Sequence, residues 1–99
     1  LYPETDNWQT YNNNCIANMK DIISRYGSEV MICETGMPWD KTVTSKMFLT
    51  DLITRGKAIS GGKCLGLFYW EPEAYNWKSY ALGAFDQSGK PTVALDAFN

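Results

Sequence analysis

The residue with the clearest potential for chemistry is Glu34, which ends the apolar run Val30-Met31-Ile32-Cys33 just before the chain turns at Gly36 and Pro38. An unbroken apolar run of this kind is expected as a strand buried on both faces, as in parallel sheets covered by helices. Its carboxylate then leaves the sheet at the C-terminal edge, where open α/β sheets and (β/α)8 barrels build their active sites. A carboxylate there is costly to desolvate unless something pairs or uses it. Glu34 is therefore either a catalytic group or an acid paired with a neighbouring Lys or Arg. A second apolar run, Leu65-Gly66-Leu67-Phe68-Tyr69-Trp70, delivers Trp70 and Glu71 to the same edge before Pro72 ends the pairing. Carbohydrate sites combine carboxylates, as nucleophile and acid/base, with aromatic faces on which sugar rings stack. Glu34, Trp39, Trp70 and Glu71 fit that chemistry, and core or loop packing is the competing explanation for each Trp.

These groups need elements to hold them. Asn12 to Asn14 are candidate caps for an amphipathic helix of about four turns, in which Ile16, Met19, Ile22, Ile23 and Tyr26 fall at helical spacing and Gly27 supplies a left-handed stop. Before it, Leu1 to Gln9, with Tyr2, Pro3 and Trp8, is expected as a loop that displays rings, the tail of a strand-to-helix connection. Thr42 and Thr44 are candidate caps for a second helix with Phe48, Leu49, Leu52, Ile53 and Ile59 on its buried face, an exposed Asp51 to Arg55 pair, and Gly61-Gly62 at its end. Two strands joined by one helix make a βαβ unit with parallel pairing. Residues 73–90 carry Tyr75, Trp77, Tyr80 and Phe85 among turn residues and are expected as a long, ring-rich loop of the sort that is often functional. A short helix over Pro91 to Asn99 closes the chain.

With 99 residues, 44% hydrophobic and 14% aromatic, the chain is one globular unit. A net charge of −2, from 9 basic and 11 acidic residues, offers no basic face for nucleic acid or anionic lipid. No apolar run approaches the roughly 20 residues that cross a bilayer. Leu1 is preceded by no basic or apolar leader, so any signal peptide is expected to lie outside this sequence or not to exist. Cys15, Cys33 and Cys64 are odd in number and lack CxxC spacing, which argues against a disulfide framework or a zinc site and for buried apolar thiols. The absence of histidine removes Ser-His-Asp and Cys-His catalysis and most transition-metal sites from this chain. No metal or cofactor is expected. Two parallel strands and three helices cannot cover both faces and both edges of a sheet. Residues 1–99 are therefore expected to be part of a larger α/β domain. The 36-residue spacing from Glu34 to Trp70 matches one strand-helix unit of a barrel of roughly 250 residues.

Several segments resemble one family. Val30-Met-Ile-Cys-Glu34-Thr-Gly-Met-Pro-Trp39 is similar to the "ETxYPW" segment of the endo-β-1,4-galactanases of glycoside hydrolase family 53, and Gly66-Leu-Phe-Tyr-Trp70-Glu71-Pro72 resembles that family's "GxFYWEP" segment. Tyr2-Pro3 with Trp8 resembles its "YYPxW" loop after strand six, and Leu82 to Asp86 with Pro91 to Phe98 resembles its C-terminal end. The resemblance spans essentially the whole chain. It implies the C-terminal part of a (β/α)8 TIM barrel, about strands seven and eight with flanking helices. It implies a retaining glycosidase in which Glu34 is the nucleophile, Trp70 lies at the base of the cleaved sugar's subsite, and Trp39 and Tyr2 line the cleft. The implied substrate is pectic galactan, the implied partner is the remainder of the barrel chain, and the implied place of action is extracellular, periplasmic or at the cell surface. Met37 stands where the family usually has an aromatic residue, which points to a different local cleft surface. No Asn-Glu pair of the strand-four type occurs, so the acid/base is expected outside this chain. Two competing readings remain: another retaining barrel endoglycanase, or a glycan-binding remnant that keeps the rings without a second carboxylate. The 99 residues alone are expected to be inactive.

Overall fold

The structure, a computed structural model, describes residues 1–99. Helix α1 spans Trp8–Tyr26, strand β1 Val30–Thr35, helix α2 Thr42–Lys57 and strand β2 Cys64–Tyr69, and a 3-10 helix covers Val93–Phe98. β1 and β2 pair in parallel, so the expected βαβ unit is present.

α1 starts a turn earlier than the asparagine run suggests, with Asn7 at its N-cap position. The reason is hydrophobic anchoring: Trp8 is buried in the core, not displayed on a loop, and its burial fixes the helix start. Asn12 is fully buried within α1, where its amide donates to the Phe48 carbonyl (3.1 Å) and to Asp51 Oδ2 (2.9 Å), tying α1 to α2. The stop falls at Gly27 as expected, in the left-handed region at φ 64°, with its N–H bonded to the Ile23 carbonyl. α2 begins behind Lys41 with no side-chain cap, so neither Thr42 nor Thr44 caps it, and it ends at Lys57 ahead of Gly61. Phe48, Leu49 and Leu52 are buried on α2 with Ile16 and Met19 of α1, Met37 and Ile59. Each such side chain contributes about 1.5–3 kcal/mol on leaving water. The Asp51 to Arg55 pair forms at 3.3 Å, half-buried because Arg55 also donates to Asn13 Oδ1 across the helix contact.

The strands depart from the expectation of burial on both faces. Val30, Ile32, Leu67 and Tyr69 pack against the helical core, whereas Met31, Cys33, Leu65 and Phe68 are exposed on the other side, Phe68 by 60%. Helices cover only one face of this sheet. For the same reason Cys33 is an exposed thiol, while Cys15 and Cys64 are half-buried. The pairing Val30 to Cys64, Ile32 to Leu67 and Thr35 to Tyr69 contains two compensating irregularities. One extra residue enters β2 at Leu65-Gly66, where Gly66 takes φ 130°, and one enters β1 between Ile32 and Thr35. The second bulge breaks the two-residue alternation. It turns Thr35 inward to full burial and leaves Glu34 on the open side.

Candidate active site

Glu34 is held from both ends. Its backbone carbonyl accepts from the Leu1 backbone nitrogen (2.8 Å), and the Thr35 hydroxyl donates to the Leu1 carbonyl (2.7 Å). These two bonds dock the N-terminal segment along β1 and bring Tyr2 to the carboxylate, where its hydroxyl donates to Glu34 Oε2 at 3.0 Å. Glu34 therefore pairs with a phenol and with neither Lys nor Arg. Desolvation first, and then the bond to Glu34, push the Tyr2 hydroxyl far above the ordinary tyrosine range, so it remains a neutral donor. The Tyr2 ring lies against Gly36, where an added Cβ would sit 3.3 Å from Tyr2 Cε1 and 3.0 Å from the Leu82 carbonyl. A side chain at position 36 would thus crowd both neighbours.

Trp70 and Glu71 follow β2 at the same edge. The Trp70 amide donates to the Thr35 carbonyl (2.9 Å), which sets Trp70 beside the residue after Glu34. Its side chain is 46% exposed, which suits a stacking platform and not a core position. Glu71 is exposed at φ 48°, a left-handed conformation for a residue with a Cβ. An open groove of about 410 Å³ runs along this strand end, lined by Cys33 and by residues 68–73 including Trp70 and Glu71. Larger grooves of about 710 and 660 Å³ lie on the flanks of the sheet, away from Glu34. Trp39 is half-buried, its amide bonded to the Ala81 carbonyl (2.9 Å), and no hydrogen bond ties its indole to Glu34. Met37 is fully buried in the core, so its difference from the family pattern falls on packing and not on a cleft surface.

Two tyrosines complete the region: Tyr69, which the pattern of residues did not single out, and Tyr80, one of the rings of the loop over residues 73–90. Tyr69 faces the core, and its hydroxyl donates to the Leu82 carbonyl (2.8 Å) with the Gly83 carbonyl at 3.1 Å and Met37 at 3.4 Å, closing the loops after both strands over one phenol. Burial pushes its pKa from 10.0 up to about 12, against the Met37 backbone, which lowers it. Tyr69 and Trp70 are neighbours at the end of β2 and so lie on opposite faces, a difference that the unbroken apolar run 64–70 does not reveal. Tyr80, on the ring-rich loop, has a hydroxyl raised by burial, lowered by Tyr2, and raised by the charges of Glu71 and Glu34. That loop rests on a turn in which Asp86 Oδ1 accepts from the Ser88 amide (2.8 Å), the Ser88 hydroxyl (2.6 Å) and the Lys90 amide (3.0 Å), bonds that hold the Asp86 carboxyl below its usual range. No group of three or more His, Cys, Asp or Glu side chains is placed to hold a metal ion.

The structure thus sets a carboxylate bonded to a phenol at the carboxyl edge of two parallel strands, the edge at which α/β proteins bind ligands, with an exposed indole at the end of the neighbouring strand. The chain belongs to glycosyl hydrolase family 53, whose sequence model matches residues 1–98. That family comprises endo-β-1,4-galactanases on a TIM barrel, which points to a glycoside hydrolase with a polysaccharide substrate. A comparison with curated proteins found no match. No helix of the chain is long and apolar enough to cross a membrane.

Proposed function

We propose that this chain is the C-terminal part of a retaining endo-β-1,4-galactanase, contributing about strands seven and eight of the barrel, with Glu34 as the nucleophile. The observation that carries this is the Tyr2-bound carboxylate of Glu34 at the strand edge in a member of this family. Tyr2 holds Oε2, leaving the other carboxylate oxygen to attack the anomeric carbon while the glycosidic oxygen departs with a proton from an acid elsewhere in the barrel. The resulting glycosyl ester is then hydrolysed by water. Trp70 offers an exposed ring face for the sugar at the cleavage point, and Glu71 and Trp39 border the cleft. The open sheet face with Met31, Cys33, Leu65 and Phe68 supports the reading as part of a barrel, since these are the positions that the remaining strands would enclose. A polymeric pectic substrate argues for action outside the cytoplasm, in an extracellular, periplasmic or cell-surface setting.

Incubation of the full-length protein with β-1,4-galactan, β-glucan and β-mannan tests this, with the anomeric form of the first product followed by NMR. Galactan cleavage with retained configuration is the expected result. Preference for glucan or mannan would favour another retaining endoglycanase. Binding without cleavage of any of them would favour a glycan-binding remnant.

A further inference from the structure

We propose that Glu71 binds substrate from a strained turn, its carboxylate accepting hydrogen bonds from the hydroxyls of the sugar that lies on Trp70. The inference deepens the galactanase reading and rests on it only for the identity of that sugar. Glu71 takes φ 48°, in the left-handed region that a residue with a Cβ enters only under strain. Pro72 compounds the strain, because proline favours an extended backbone in the residue before it. A conformation of this kind persists only where its surroundings enforce it, and such positions cluster at ligand sites.

The turn is enforced from both sides. Ahead of it, the Trp70 amide donates to the Thr35 carbonyl (2.9 Å) and the Trp70 carbonyl accepts from the Tyr80 hydroxyl (3.4 Å). Behind it, the Ala74 amide donates to the Glu71 carbonyl (3.2 Å) and the Ala84 amide to the Pro72 carbonyl (2.7 Å). Gly83 closes the neck of the loop so tightly that a Cβ there would collide with the Ala74 carbonyl. None of these bonds uses the Glu71 carboxylate, and the ion pairs Arg25 to Asp21 and Arg55 to Asp51 lie on the helices. Glycine would form the same turn without the steric penalty. The carboxylate therefore serves a group from outside the turn. It is exposed, and with Trp70 it lines the groove of about 410 Å³ at the end of β2. A pyranose meets an indole with its C–H face and carries donor hydroxyls around its rim, so an acceptor-only carboxylate beside the ring is the complementary group.

The test compares Glu71→Gly, Glu71→Ala and Glu71→Gln in the full-length protein. Gly and Ala both delete the carboxylate, but only Gly relieves the turn, so Glu71→Gly should melt about 2–4 °C above Glu71→Ala and no lower than the wild type. On galacto-oligosaccharides, kcat/KM should nevertheless fall about 10- to 150-fold in both, the equivalent of one hydrogen bond to a charged group. Glu71→Gln keeps one acceptor oxygen and should fall less. Undiminished kcat/KM in Glu71→Gly would overturn the proposal. So would a Glu71→Gly that melts below the wild type, since the carboxylate would then serve the fold, or one that melts no higher than Glu71→Ala. The same ratios are read on whichever of β-1,4-galactan, β-glucan and β-mannan the wild type cleaves, or as dissociation constants if it only binds. Action on glucan or mannan would thus count against the galactanase reading and leave this one to be decided by the variants, whereas binding of none of the three would overturn both.

Discussion

Tyr69→Phe separates the scaffold beneath the site from the site itself. In the wild type one hydroxyl serves the Leu82 carbonyl at 2.8 Å, lies 3.1 Å from the Gly83 carbonyl, and stands 3.4 Å from the Met37 amide, where Met37 is fully buried. Phenylalanine fills the same space but leaves the Leu82 carbonyl and the Met37 amide without this partner. Leaving a buried polar group unpaired costs about 1–3 kcal/mol, and that is the destabilisation expected near pH 8 by urea unfolding of the full-length protein. The same hydroxyl makes stability depend on pH. Burial raises its pKa from 10.0 to about 12, so the folded state holds the proton more tightly than the unfolded state. Its contribution is complete below pH 10 and is lost as pH rises through 12. A rise from 10.0 to about 12 corresponds to about 2–3 kcal/mol, so the advantage of the wild type over Tyr69→Phe should close across this interval. A gap under about 0.5 kcal/mol near pH 8, or a gap that does not change with pH over the alkaline range, would refute the reasoning.

Three further outcomes follow from the same geometry. Trp70→Ala removes the exposed ring and should lower kcat/KM by about 5- to 150-fold, the equivalent of about 1–3 kcal/mol of stacking; an unchanged value would mean that Trp70 only packs. Gly36→Ala places a Cβ 3.0 Å from the Leu82 carbonyl and 3.3 Å from Tyr2 Cε1, and should destabilise by about 1–3 kcal/mol in thermal unfolding while the Tyr2 titration falls as its bond to Glu34 lengthens. The 99-residue chain alone should release no galacto-oligosaccharides even at high concentration, because retention needs two carboxyl groups about 5–5.5 Å apart and positioning contributes about 7–11 kcal/mol; reproducible release would show that Glu71 or another local acid serves as the partner.

The βαβ unit was legible because its signals are physical and local. The apolar runs ending in Glu34 and Trp70, the helical spacing of Phe48, Leu49 and Leu52, and the left-handed stop at Gly27 each correspond to an observed element or boundary. Where the reading failed, tertiary packing outweighed local preference. Asn12 looked like a cap and is a buried interhelical bond, while Trp8 looked like a displayed ring and anchors α1. Apolar runs read as strands covered on both sides, yet a run of residues does not say which neighbours arrive, and here Met31 and Phe68 lie open. The family likeness set Tyr2 in the cleft but gave no sign of its bond to Glu34, because 32 residues separate the partners and they meet only once the segment that carries Tyr2 docks along β1. Tyr69 carried no signal strong enough to mark it, and Tyr80 was marked only as one ring of the 73–90 loop, since the partners of both depend on the path of a loop that has no periodicity.

The assignment of Glu34 as nucleophile is tested most directly by trapping. The full-length protein is incubated with an activated fluoro-galactoside, which forms the glycosyl-enzyme but hydrolyses slowly, and its peptides are then mapped by mass. The label should lie on the peptide containing Glu34 and be absent from Glu34→Gln, whose amide cannot supply an anionic nucleophile. A label on Glu71 or any other carboxylate, or undiminished labelling of Glu34→Gln, would contradict it.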